Sequence, residues 1–219
     1  MEATTAPALP RLNELAPDFK ATSTQGEISL SDFKGKWVVL FSHPADFTPV
    51  CTTEFVGFAN KYDEFEKRNV QLIGLSIDSV YAHIAWIRNI EQNFGVEIKF
   101  PVIADLDMKV AQAYGMVHPG AASTATVRCV FLIDDKGVVR AMVYYPLTNG
   151  RNIDEIIRLI DGLQTHEKYK VATPANWVPG EQVIVPAPTT QDGAEKRVDE
   201  DKQGDVQVTD WYFTKKELK

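Results

Sequence analysis

The chain has 219 residues, 44% of them hydrophobic and 24% charged, with a formal charge of -7. That composition excludes a disordered or fibrous polymer, and the acidic balance leaves no net basic surface to neutralise phosphates, so nucleic acid is not expected as a partner. The length suits one main domain with an appendage.

The opening stretch "MEATTAPALPRLNELAP" has no basic segment followed by an apolar run, so no secretory signal is read and a cytoplasmic location is expected. The longest apolar runs, "WVVLF" and "CVFLI", fall far short of the roughly 20 residues of a membrane span, and no membrane insertion is expected. The cysteines are Cys51 and Cys129, with no CxxC and no Cys/His cluster. A disulfide scaffold is excluded, no metal site is expected, and thiol reactivity becomes the question.

In chain order, the first element is "WVVLFSH" (37–43), a continuous apolar and β-branched run that reads as a strand buried on both faces. Phe55, Phe58, Tyr62 and Phe65 then recur at helical spacing, predicting an amphipathic helix to about Lys67 with Cys51 near its N-terminus. "VQLIGLSID" (70–78) completes a strand–helix–strand unit and so a parallel pair. A helix over 80–94, a short strand in "FPVIAD" and a short helix closed by Gly115 follow. "TVRCVFLID" and "VVRAMVYYP" flank the turn residues "DKG" and predict an antiparallel hairpin. "NIDEIIRLIDGLQTH" is the last strong helix, with Asn152 as its cap.

These elements predict an α/β domain with a mixed central sheet flanked by helices over 1–168, and a small C-terminal extension over 169–219. In that extension "AEKRVDEDKQGD" reads as a solvated charged loop, and the two apolar pieces around it have no core of their own. Trp177 and Trp211 therefore point to a subunit interface, with a homodimer as the minimum assembly and larger assemblies of dimers left open.

The chemistry concentrates in "HPADFTPVCTTE" (43–54). A thiol reacts as its thiolate, and the first turn of a helix offers unpaired N–H groups and the positive end of the helix dipole. Lowering a cysteine pKa by about two units raises the thiolate fraction only roughly 20- to 30-fold, so donors that stabilise the leaving group are also needed. Thr48 can donate and accept, Pro44 can keep water from one side, and Arg128 is the cation expected beside the sulfur. Cys129 alternates with Arg128 on its strand and is expected to face packing. His83, His118 and His166 read as ordinary surface or packing residues, and His43 equally as a packing or a pocket group.

Pro44, Thr48 and Cys51 spell PxxxTxxC, and "FSHPADFTPVCTTE" resembles the active-site segment of peroxiredoxins. "TVRCVFLIDDKG" and "TNGRNIDEIIRLIDGLQ" are similar to further segments of that family, and "VATPANWVPGEQVIVPAP" to the C-terminal extension of its one-cysteine group. The resemblance implies a thioredoxin-like fold and cofactor-free reduction of hydrogen peroxide or alkyl hydroperoxides. Cys51 would pass through a sulfenic acid that an external thiol reduces. It also implies that His43 lines the pocket, that Glu54 orients the arginine, and that Arg151 completes the charge network. "FKGKWVVLFSHP" lacks the GxSxG serine of family members with lipase activity, and the tail lacks the second cysteine of two-cysteine members.

Two rival readings stay open at this level. One is a cysteine-histidine acyl hydrolase using Cys51 and His43, which shows no orienting third residue in the sequence. The other is a redox sensor or holdase-like assembly switched by oxidation of Cys51.

Overall fold

The computed structural model describes residues 9–121, 124–200 and 206–218. It divides into two compact units that part between Ile153 and Asp154. The sequence-based boundary at 168 lies one helix further on.

The first unit is built on a seven-stranded mixed sheet in the order β2-β1-β5-β4-β3-β6-β7. Its strands are β1 (Lys20–Ser23), β2 (Gly26–Ser29), β3 (Trp37–Ser42), β4 (Val70–Ser76), β5 (Val102–Ala104), β6 (Arg128–Ile133) and β7 (Val139–Tyr145). The expected strand–helix–strand unit is present: β3 and β4 run parallel, from Trp37 beside Val70 to Ser42 beside Leu75. The helix predicted to Lys67 is interrupted at Lys61, giving α1 (Pro49–Asn60) and α2 (Tyr62–Lys67). β6 and β7 form the expected antiparallel hairpin. The β1–β2 hairpin was not foreseen, because its short strands lack an apolar run and only Ser23 among their residues is buried.

β3 is buried at every position, as its unbroken apolar sequence requires when helices cover both faces of a sheet. On one face Phe41 stacks on Phe58 at 4.2 Å between ring centroids and meets Phe55 and Phe100 edge-on. Gly74 of β4 makes room for this group, since a Cβ there would sit 3.3 Å from the Phe55 ring and 3.4 Å from the Phe41 ring. The other face packs Val38, Leu40, Ile73, Ile103, Tyr114 and Phe131 with their neighbours. α3 (Val80–Phe94) starts at Ser79, whose hydroxyl accepts from the Ala82 amide, and ends on Gly95 at φ 67°. α4 (Lys109–Ala113) follows β5.

The second unit takes α5 (Ile153–Tyr169) after its first residue, then β8 (Val183–Val185), α6 (Gln191–Glu200), β9 (Gln207–Asp210) and β10 (Phe213–Lys216). Its three strands form an antiparallel sheet in the order β8-β10-β9. Two expectations are corrected here. Trp177 is only 2% exposed and forms a small core with Val171 and Val183, so it is not an interface residue; its indole N–H donates to the Glu181 carbonyl. The extension thus does build a core, because the chain returns Val171 and Val183 to the same tryptophan.

The charged stretch is helical to Glu200 rather than a loop. The Thr190 hydroxyl accepts from the Gly193 amide, Lys196 reaches Asp192 and Gln191 reaches Glu195 at i, i+4. The rest of that stretch, 201–205, lies outside the described residues. Among the described residues, no helix is long and apolar enough to cross a membrane.

Candidate active site

β3 delivers the chain to His43 at the C-terminal end of a parallel strand, where α/β folds place their sites. The turn from there to α1 contains Phe47 at φ 55°, a conformation that costs an aromatic residue on the order of 1 kcal/mol. Thr48 then caps α1 with an extended backbone (φ -104°, ψ 145°), and Pro49 occupies the first turn, where its missing N–H loses nothing. Cys51 is the third residue of the helix, so its sulfur sits at the amide-rich end, and its side chain is completely covered.

The sheet register brings the arginines to the same place. β6 runs antiparallel to β3 with Val130 opposite Phe41, so Arg128 lies just past the end of β3, and β7 returns Tyr145 beside Arg128. The segment after β7 then reaches Arg151. Arg128 Nη1 donates to Cys51 Sγ at 3.2 Å and to Glu54 Oε2 at 2.7 Å, while its Nε donates to the Leu147 carbonyl at 3.0 Å. Arg151 forks onto Glu54, Nε to Oε1 at 2.9 Å and Nη2 to Oε2 at 2.6 Å, and its backbone amide adds a third bond to Oε1. Its remaining Nη1 donates to the Ser42 and Cys129 carbonyls, and the guanidinium lies over the Phe41 ring at 5.1 Å.

Cys51, Glu54, Arg128 and Arg151 are all buried. Their side chains hold two fixed positive charges and one carboxylate, so an anionic sulfur would bring the group to neutrality. The expected residues Cys51, Glu54, Arg128 and Arg151 thus come together through hydrogen bonds.

Thr48, Pro44 and His43 stand differently. The Thr48 hydroxyl donates to the Ala45 carbonyl at 2.9 Å rather than toward sulfur, which leaves its oxygen lone pairs as the free function. Pro44 is half-buried in the same turn. His43 is fully buried with its Nε2 2.8 Å from Asp46 Oδ1, and its Nδ1 has no hydrogen-bond partner among the described residues. Burial holds His43 below the ordinary histidine pKa, against the pull of Asp46.

Two residues were missed. Asp46 bridges His43 to His83, whose Nδ1 lies 2.7 Å from Oδ2; His83, expected among surface or packing residues, is fully buried, and its other ring nitrogen meets the Ile103 carbonyl. The available signal was its spacing: His83, Trp86 and Ile90 share the buried face of α3. Asp46 also supplies the orienting group that the hydrolase reading lacked, but the hydrogen bond at Sγ comes from Arg128, not His43. The donor atoms of His43, Asp46 and His83 lie within 4.8 Å of one another. Each carboxylate oxygen is already engaged with one ring nitrogen, the pattern of a hydrogen-bonded chain rather than of a vacant chelate.

Cys129 faces packing as expected. It is fully buried, 3.0 Å from the Ser42 hydroxyl, and burial pushes its pKa up to about 11. His118 stacks on Tyr144, and His166 Nδ1 meets the Val171 carbonyl.

Residues 12–142 match the AhpC/TSA family model, and residues 162–201 match the C-terminal domain of 1-Cys peroxiredoxin. A peroxiredoxin of Aquifex aeolicus is 59% identical over 96% of this chain and 98% of its own. One from Methanosarcina mazei is 50% identical over 94% and 96%. Among solved structures, a yeast mitochondrial 1-Cys peroxiredoxin superposes with a TM-score of 0.85 at 42% identity, covering 96% of this chain and all of that one. Peroxiredoxin 6 of Arenicola marina, solved as a cysteine-to-serine mutant, gives 0.85 at 35% identity, covering 95% and 98%. The mixed sheet with its flanking helices is therefore the thioredoxin-like fold, extended by a small three-stranded sheet. With a matching family model over most of its length and relatives identical at every second residue or more, the chain belongs to the AhpC/TSA family and is a peroxiredoxin, a thiol-dependent peroxidase.

Proposed function

We propose that this peroxidase works by a one-cysteine cycle on hydrogen peroxide and alkyl hydroperoxides. The observation that carries the reading is the Arg128 guanidinium 3.2 Å from Cys51 Sγ, itself held by Glu54. The Cys51 thiolate attacks the distal peroxide oxygen; the S–O bond forms as the O–O bond breaks, and the departing alkoxide or hydroxide takes up a proton to leave as alcohol or water. The sulfur becomes a sulfenic acid, which one external thiol converts to a mixed disulfide with loss of water. A second thiol then releases Cys51.

In this cycle Arg128 stabilises both the thiolate and the charge on the leaving oxygen, because its fork of donors cannot lose its proton. Glu54 and Arg151 fix its orientation. Thr48 offers its lone pairs to the peroxide proton, Pro44 shields one side, and His43 lines the pocket.

Three things support the external thiol. The match to the one-cysteine C-terminal domain is the first. The second is that the similar yeast protein is described as resolved through glutathione/thioredoxin systems. The third is that Cys129, buried and bonded to Ser42, is poorly suited to attack a sulfenic acid. We take the working assembly to be at least a homodimer.

The test is a pair of variants. Cys51→Ser should abolish thiol-dependent peroxide consumption while Cys129→Ser retains it, and intact mass after one equivalent of peroxide should place one oxygen on Cys51 with no internal crosslink. Equal activity of the two variants would overturn the reading.

A further inference from the structure

β3 lies between β4 and β6 in the sheet, and its pairing with both ends just before the turn that carries Pro44 and Thr48. The antiparallel register with β6 ends at Phe41 beside Val130. The parallel register with β4 ends at Ser42 beside Leu75, with one further bond from the His43 amide to the Leu75 carbonyl at 2.9 Å. Pro44 has no N–H with which to continue. Phe47 then takes φ 55°, and a strained backbone of this kind persists only where its surroundings over-determine it. Something other than the strand ladders must hold the turn.

Each neighbouring strand supplies one side chain for that task. Thr126, two residues ahead of β6 and 0% exposed, donates its hydroxyl to the His43 carbonyl at 2.7 Å. Asp78, two residues past the end of β4, accepts from the Asp46 amide on Oδ2 at 3.0 Å. Ser76 aims that oxygen: its buried hydroxyl donates to it at 2.7 Å and accepts from the Asp78 amide at 3.1 Å. Ser42 secures the base of the Thr126 clasp, its hydroxyl donating to the adjoining Val127 carbonyl at 2.5 Å. The turn is thus gripped at residue 43 from one side and at residue 46 from the other.

These two clasps act on a different part of the site from the arginines. Cys51 and Arg128 are tied to each other and, through Glu54, to α1, whereas Pro44 and Thr48 belong to the turn. We infer that Thr126 and Asp78 are positioning residues for the proposed cycle, on which this inference rests: they set Pro44 and Thr48 against Cys51 and Arg128, so that a peroxide held by Thr48 lies in line with the sulfur. Thr126 precedes Arg128 by two residues, so the segment that delivers the guanidinium also fixes the start of the turn. Loss of either clasp leaves the thiolate and its arginine in place but misplaces the wall that aligns the peroxide, and small misplacements of a reactant are expensive in rate.

The test separates alignment of the peroxide from activation of the sulfur. In a Cys129→Ser background Cys51 is the sole thiol, and intact mass follows both its oxidation by hydrogen peroxide and its alkylation by iodoacetamide. Alkylation needs the thiolate but no partner for a peroxide proton. Thr126→Val and Asp78→Ala should each slow oxidation roughly 10- to 100-fold, while alkylation holds or gains in rate and keeps its pH midpoint. Thr126→Ser and Asp78→Asn, which retain the donor and the acceptor, should oxidise at close to the parental rate.

A parental oxidation rate in either loss variant, equal slowing of the two reactions, or a conservative variant as slow as its partner would overturn the inference. If one loss variant fails to fold, the other decides by the same comparison. Unfolding of both would make these residues supports of the fold rather than of the site, and would overturn it as well. Failure of the cycle itself would show differently, as peroxide consumption that survives in Cys51→Ser.

Discussion

Arg128 serves three acceptors at once, Cys51 Sγ, Glu54 Oε2 and the Leu147 carbonyl, and only a planar fork can do so. Arg128→Lys keeps the charge but offers a single point of donation, so the ammonium is drawn to Glu54 and away from sulfur. The second-order rate with hydrogen peroxide should fall roughly 100-fold, the usual effect of removing one preorganised donor, with circular dichroism unchanged. Retention of the wild-type rate would show that charge alone suffices. Cys129 makes the opposite kind of prediction, because it contributes to stability rather than turnover. Its pKa is raised in the folded chain to about 11 from an ordinary value of 9.0. The stability tied to its protonated form is whole below pH 9 and is lost as the pH climbs through about 11, on the order of 3 kcal/mol in all. Denaturant titrations at pH 8 and pH 11 should therefore show a larger loss for the wild type than for Cys129→Ala. Equal losses would mean that the thiol does not titrate with the fold.

At the scale of elements, the first turn of α1 sets a buried sulfur beside an exposed proline: Cys51 is 0% exposed while Pro49 is exposed. A reagent must displace whatever covers a buried Sγ, so on steric grounds a small peroxide should need less opening of the turn than a bulky aryl disulfide. Pro49→Gly removes the fixed φ of that turn at a cost of about 0.4–1 kcal/mol. It should therefore speed aryl-disulfide labelling of Cys51 a few-fold in a Cys129→Ser background while changing the peroxide rate less. Equal acceleration of both reagents would show that the turn does not select by size. This turn was largely legible in the sequence, because Pro44, Thr48 and Cys51 sit in chain order and the aromatics after them, Phe55, Phe58, Tyr62 and Phe65, recur every three or four residues. The distant arginines were legible as types on a strand, and the register of β3 with β6 and β7 explains why they arrive. Two things were hidden for physical reasons. The Asp46–His83 contact joins residues 37 positions apart, and local pattern shows only that His83 shares a face with Trp86. The helicity of α6 comes from capping and i, i+4 pairs in a stretch with too few apolar residues to show a helical period.

At the scale of the molecule, what the second unit leaves uncovered matters most. Trp177 is consumed by its own core, but Trp211, Tyr212 and Phe213 are consecutive, joined ring to ring at the β9–β10 turn, and 41%, 57% and 37% exposed. Large apolar groups rarely remain adjacent and wet without a partner. Closing the open part of three such rings would bury on the order of 300 Å². That is under half of the roughly 800 Å² per partner in a standard interface, so the turn can anchor a subunit contact without forming all of it. A second copy of this chain is the expected partner. Replacing the three residues together by serine removes the anchor and leaves Val171, Trp177 and Val183 packed, so the variant should still fold. In sedimentation velocity at micromolar concentration the wild type should run as a dimer or larger, and the triple variant should shift toward the 24.5 kDa monomer. A wild type that already sediments as a monomer, or a variant that sediments like the wild type, would show that these aromatics do not hold copies together.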